Sequence, residues 1–455
     1  MPRRFPISSS KTALAVGLAL GLAQGSANVM AFDLSTAARE ALLFDSSFLS
    51  ARKKAEADAT RFGQGLGLLL PSASASVSRS RTDFDASSDA NAASISDTSG
   101  RYGNTYVVTL TQPLFRLDRI ASFNQERERA KAGEVNSAQA RIDALLRVTQ
   151  SYFDVLVAQD GLASVDAELK AIGQQLESAK RNFEVGTATI TDQQEAQARF
   201  DLATAKQIAA KNDLDVKRTS LAQLVGKPPP PVLSGLRDSV TLKMPEPLDV
   251  TRWVEQARTA NLKVQAANTT AEIAKSEVMR VVSADNLPSI DLVAKKTRVD
   301  PYRFSSSATY DRADTDTLSI EMTLPLFNGG IAVNKAREVI ALRDKSGFDL
   351  ENERRTAEQT ARTSFLGVLA GLSQVKAFEA AEKSSRLALE SNLLGYEVGV
   401  RINIDVLNAQ QQLFTTQKDL SKARYDTLIN GLKLKASVGA LSETDIDEVN
   451  GLLVK

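Results

Sequence analysis

The chain carries an internal duplication. Phe183-Glu184-Val185-Gly186 returns as Tyr396-Glu397-Val398-Gly399; from there Asp192 aligns with Asp405, Ala210 with Ala423, Asp213 with Asp426, and Val225-Gly226 with Val438-Gly439. Each pair is 213 positions apart, as 405 is from 192, with no gap across the stretch. Upstream, Gln112-Pro113-Leu114-Phe115 is echoed by Leu324-Pro325-Leu326-Phe327, and Leu70-Pro71-Ser72 by Leu287-Pro288-Ser289. A chain of 455 residues would ordinarily suggest two or three compact domains at ~100–200 residues each. Here it reads instead as two copies of one long unit, at 32–227 and 248–445, joined by a Pro-rich linker at 228–247 and followed by a short tail at 446–455.

Each unit mixes two periods. In the first copy Val148, Val155, Leu162, Leu169 and Leu176 step by seven, with Leu145, Tyr152, Val165 and Ile172 at the intermediate positions. That is a coiled-coil seam flanked by charged and amide side chains. The spacing predicts long helices over 118–183 and 331–396, each about 98 Å at 1.5 Å per residue, then a glycine turn and second helices over 192–225 and 405–438. Abundant Ala lets such helices approach closely.

Between the helices the period drops to two. Leu318, Ile320, Met322 and Leu324 alternate with Thr317, Ser319, Glu321 and Thr323, and similar alternation occurs around Tyr106, Ile290 and Ala73. The four strands expected, about 70–81, 104–114, 288–298 and 316–325, have the length of tilted membrane strands. They form two hairpins through the Ser/Asp/Asn-rich loops Thr82–Gly103 and Val299–Asp316. Four strands cannot close a membrane barrel, whose minimum is about eight. Open edges are not tolerated in lipid, so closure has to come from other copies, and three chains would supply twelve strands. The fold class expected is mixed α and β, a duplicated unit of strand hairpin plus long coiled-coil helices, three copies of which make a trimeric tube of twelve strands with the helices below. A periplasmic coiled-coil scaffold without a pore would explain the heptads, but not the strands.

Composition removes other functions. With no Cys there is no disulfide framework, thiolate nucleophile or Cys-anchored lipid, and with no His there is no Ser-His-Asp relay or imidazole metal site. No cofactor and no metal site is expected, and the carboxylates are spread along helix faces rather than gathered for hydrolysis, so the chain is not read as an enzyme. A formal charge of +1 gives no footprint for nucleic acid. The first 31 residues, with Arg3, Arg4 and Lys11 before a short apolar run, read as a signal peptide cleaved after Ala27 or Ala31. Removing those three cations takes the charge to −2. No run of about 18 apolar residues remains to cross a bilayer as a helix.

Taken in order, the signal peptide, short helix, strand hairpin, Pro-Leu-Phe corner, long helix, Phe/Tyr-Glu-Val-Gly turn and Asp-containing helix resemble the TolC family of outer-membrane channel-tunnels. So do the run from Leu324 to Gly330, the stretch from Gly395 to Leu407, and Ala423-Arg424-Tyr425 through Gly439. The resemblance implies a homotrimer in outer-membrane lipid with a large periplasmic portion, a trimeric 12-stranded outer-membrane β-barrel continuous with a periplasmic α-helical barrel, with the Pro-rich linker in its equatorial region and an entrance closed at the periplasmic tip. It also implies two partners, a periplasmic adaptor (membrane fusion) protein and an inner-membrane ABC or proton-driven transporter. Asp405 stands where the family has the first aspartate of its entrance constriction, and Asn408 stands at the second, which halves the formal charge of the ring. Thr191, Asp192, Tyr396 and Arg401 match the contacts that lock the family's inner coils, with Tyr396 expected to donate to Asp192. The bland reading of the same residues is capping, by Thr191-x-x-Gln194 on one helix and Asn403 on the other. Gly186 and Gly399 match the tip turns and a surface for adaptor contact. The absence of a lipidated Cys favours the non-lipidated type, with type I protein secretion ahead of multidrug or small-molecule efflux.

Overall fold

The computed structural model describes residues 32–82, 101–187, 189–237, 240–300, 302–303, 309–310 and 312–454. The signal peptide expected at 1–31, most of the loop Thr82–Gly103 and parts of the loop Val299–Asp316 lie outside the described residues. In chain order the elements are α1 (Leu34–Phe44), α2 (Ser46–Gly67), β1 (Ser72–Thr82), β2 (Arg101–Phe115), α3 (Leu117–Glu184), α4 (Ile190–Val225), α5 (Val250–Ala260), α6 (Leu262–Asn286), β3 (Ser289–Asp300), β4 (Tyr302–Arg303), β5 (Thr309–Tyr310), β6 (Ala313–Thr323), α7 (Ile331–Glu397), α8 (Asn403–Ser437) and α9 (Glu443–Asn450). The duplication is plain in this order, since α1, α2, α3 and α4 answer to α5, α6, α7 and α8. Among the described residues no helix is long and apolar enough to cross a membrane.

The heptad seam fixes how the long helices pack. Val148, Tyr152, Val155, Ile172 and Leu176 of α3 are buried, and α3, with 68 residues, runs about 102 Å at 1.5 Å per residue. It folds back on α4 as α7 folds back on α8, and α8 also packs against α3. Small residues set the closeness. A side chain at Gly371 of α7 would bring its Cβ within 3.1 Å of the Cβ of Thr427 on α8. The helices α2 and α6 lie along the upper part of α3, and α6 also packs on α7.

The main core sits midway along α3. There α1, the end of α4, α8 and α9 gather around Leu145, Tyr152, Phe153 and Leu156, with Phe153 stacked 5.2 Å from Tyr425. Gln159 grips the linker, donating to the Leu233 carbonyl and accepting from the Leu233 N–H. The tail at 446–455 is part of this core rather than an appendage. α9 begins at Glu443 behind a Ser442–Asp445 capping box, and the Asn450 amide accepts from Leu34 N–H and donates to Asp33. Nearby, Asp160 of α3 is buried against α8, accepting from the hydroxyls of Ser421 at 2.5 Å and Tyr425 at 3.3 Å. Loss of water raises its pKa above the ordinary carboxylate range, and the two hydroxyls only partly offset that rise.

At the other end four strands make one antiparallel sheet in the order β1-β2-β3-β6, while the short β4 and β5 pair only with each other. Its register puts Ala73, Leu110, Ala294 and Leu318 in one row of a mainly apolar face, while the opposite face is mainly Ser and Thr, with Lys295, Asp291 and Glu321 among them. Toward the loop end the apolar face is bounded by the ion pairs Lys296–Asp316 and Arg298–Asp314. The outer edges of β1 and β6 carry no partner strand among the described residues, and Leu318, Ile320 and Met322 are 73%, 69% and 66% exposed. At the corner, Pro113 still stands opposite Asp291, and the register of β2 on β3 shifts between it and Phe115, which stands opposite Ile290. Arg116 then clamps the strand-to-helix junction through Asp118 and Asp291 of β3.

Candidate gate at the helical tips

The far ends of the coils turn around in the same way in both copies. After α3 the N–H of Thr187 returns to the Asn182 carbonyl at 2.8 Å, and after α7 the N–H of Val400 returns to the Gly395 carbonyl at 2.9 Å. That is the six-to-one bond of a Schellman stop, and it needs a left-handed residue. Gly186 at φ +79° and Gly399 at φ +78° supply it. Nothing lies within 4 Å of a Cβ built at either glycine, so backbone conformation and not space requires them.

Helix α4 starts on a capping box between Thr189 and Asp192. Asp192 accepts from the Thr189 hydroxyl at 2.7 Å and from its N–H at 3.0 Å. The box therefore sits two residues before the Thr191–Gln194 pattern expected from sequence. Thr189 wins because Asp192, a shorter and charged acceptor, reaches its N–H. Thr191 is exposed in the first turn of α4, its hydroxyl unpaired among the described residues. Tyr396 is half-buried near the end of α7. Its hydroxyl accepts from the Asn182 amide of α3 at 3.3 Å, not from or to Asp192, whose carboxylate is engaged by its own cap.

Arg401 lies folded over Gly395, whose missing side chain makes room for the arginine stem: a Cβ there would stand 2.6 Å from Arg401 Cγ. Its guanidinium faces Asp405, with Nη1 3.6 Å from Oδ2. Within one chain, then, the arginine faces Asp405 one turn away rather than Asp192 or Thr191. Asp405 is one-third exposed and Asn408 is exposed one turn further along α8. The Asn408 carbonyl oxygen accepts from Arg199 of α4 at 3.0 Å, and the same guanidinium donates to Gln411 at 2.7 Å.

Asn403, which sequence reasoning misread, and Gln175 and Arg199, which it did not single out, bind the coils together. Asn403, expected as a cap for α8, is 1% exposed and makes no capping bond. Its oxygen accepts from the buried Gln175 amide of α3 at 2.5 Å, and its amide donates to the Asp192 carbonyl of α4 at 3.4 Å. One side chain of α8 thus touches both helices of the first copy. Beside it, Ile172, Ala203 and Leu407 form a small apolar cluster with Leu169 and Phe200. Arg199 is the third. Its only sequence signal was its position one helical turn beyond Glu195, which carries no information about α8.

Comparison with known proteins matches residues 37–227 and 253–440 to the family described as outer membrane efflux protein. The chain is 28% identical over 376 residues to outer membrane protein TolC of Escherichia coli, covering 81% of this chain and 74% of that one. It is 30% identical over 350 residues to the alkaline protease secretion protein AprF of Pseudomonas aeruginosa, covering 76% and 72%. Its fold is similar to the solved structure of the Campylobacter jejuni CmeC outer membrane channel, with a TM-score of 0.76 at 17% identity over 92% of this chain and 90% of that one.

Proposed function

The chain belongs to the TolC family of outer membrane efflux proteins, and on that premise we propose that three copies form a channel-tunnel for type I protein secretion. It is an outer-membrane exit duct with a large periplasmic portion. The observation that carries the trimeric reading is the sheet. Its four strands end in two unpaired edges, with a broadly exposed apolar face. In lipid, each unpaired backbone group costs several kcal/mol, so edges must close on one another. Three copies bring the count to twelve strands, and the long coils below extend the same tube into the periplasm.

The tip is the gate. Three copies of Asp405, with Asn408 one turn on, line the entrance constriction; Arg401, Asp192, Thr191 and Tyr396 belong to the contacts that hold it shut. The exposed turns at Gly186 and Gly399 meet the periplasmic adaptor, and an inner-membrane transporter supplies the energy. The members of this family are channels, and the chain conducts rather than catalyses.

The cargo reading leans on a relative, since AprF is named for alkaline protease secretion, whereas the family description names efflux. Efflux of small molecules is therefore the second reading. A strain lacking this protein should fail to export its secreted proteins. Loss of drug resistance with protein export intact would reverse the order.

A further inference from the structure

We propose that Arg199 sets the charge selectivity of the entrance, by holding an amide where an acidic constriction would present its second carboxylate. This rests on the channel reading above and concerns its constriction.

The geometry of the hold is unambiguous in one respect. A guanidinium has five donors and no acceptor, so an asparagine bound to it must offer its oxygen. Asn408 does so at 3.0 Å, and Gln411, three residues on and on the same face of α8, does so at 2.7 Å. With its oxygen taken, Asn408 is left to present its NH2, a donor, to whatever passes. Among the described residues Arg199 forms no ion pair with a carboxylate: its two bonds go to amides, so its charge is not spent locally. A shallow hollow of about 280 Å³ between α4 and α8 opens beside it, lined by Glu195, Ala198, Leu202 and Ile404.

The charges along this strip can be set against one another. Arg199 and Arg401 are positive; Asp405 and the exposed Glu195 are negative. An aspartate at 408 and a neutral residue at 199 would leave the same strip two charges more negative in each chain. Around a threefold axis that difference is tripled. The entrance is built to admit anionic and acidic cargo that an acidic ring would repel.

The test is the reversal potential of purified trimers in a planar bilayer under a salt gradient, for the native chain and for Arg199→Gln, Arg199→Lys and Asn408→Asp. The native channel should be weakly selective. Arg199→Gln should shift the ratio of cation to anion permeability toward cations by about threefold, the order expected for the loss of one screened charge per chain at the entrance. Arg199→Lys keeps the charge while losing the two-point grip, and should stay near the native value. Should the glutamine variant fail to form trimers, Asn408→Asp is expected to shift the ratio in the same direction. A native channel already strongly cation-selective would overturn the proposal, as would a glutamine variant with native selectivity or a lysine variant that shifts as the glutamine one does. A native protein that forms no channels at all would instead sink the channel reading itself.

Discussion

Asn403 offers the sharpest view of what keeps the tip together. It is almost wholly buried and bridges three helices, taking a hydrogen bond from Gln175 of α3 at 2.5 Å and giving one to the Asp192 carbonyl of α4 at 3.4 Å. Asn403→Ala removes both. The Gln175 amide, itself 8% exposed, then loses its partner. A net worth of ~0.5–1.5 kcal/mol per bond makes the tie ~1–3 kcal/mol per chain. If α8 swings away from α3 and α4 when the entrance opens, that amount is lost from the closed state alone, shifting the closed-to-open ratio about 5–150-fold per chain. Single-channel recording in planar bilayers reads this directly: the variant should open more often and to larger conductance. Asn403→Leu with Gln175→Leu supplies a control, since replacing both partners by apolar groups of similar shape should restore most of the closed state. An alanine variant with native conductance and native dwell times would refute the idea that this bridge holds the gate.

Two further outcomes follow from the packing of the coils. The Asp160 carboxyl, buried against Ser421 and Tyr425, has its pKa raised in the folded protein mainly by desolvation. The stability it contributes is therefore present below the ordinary carboxylate pKa and is lost as the pH rises through the higher folded value. Thermal unfolding followed by circular dichroism should show stability falling over that range, and Asp160→Asn should flatten the slope; an unchanged slope would contradict it. Gly371→Val places a branched side chain where even a Cβ would lie 3.1 Å from the Thr427 Cβ. Overpacking of that kind costs about 1–3 kcal/mol, read as a lower unfolding temperature, and Thr427→Ala in the same chain should recover part of it.

How much of this could be read in the amino-acid order depends on the scale of the feature. The long helices were legible because an apolar seven-residue step, sustained from Val148 to Leu176, has no other stable solution, and α3 and α7 end within a residue or two of the expected positions. The strands were legible because Leu318, Ile320 and Met322 alternate with polar neighbours. The turns at Gly186 and Gly399 were legible because a left-handed backbone needs glycine. The tip contacts were not, since they depend on which rotamers meet across separate helices. Tyr396 reaches Asn182, 214 residues away, and nothing local separates that from Asp192. Asn403 looked like a cap because it opens α8, and only burial against α3 gives it another use. The helix α9 was not legible for a different reason. An eight-residue helix is too short for a periodic signal, although Ser442 and Asp445 carry a capping pattern that could have marked it.

The most direct test is stoichiometry joined to conductance. The protein should be extracted from outer membranes in mild detergent, weighed intact by native mass spectrometry and placed in a planar bilayer. We expect a mass of three mature chains and discrete ion-conducting channels from that species. A monomer, or a trimer that never conducts, would contradict a tube closed by three copies of this open-edged sheet.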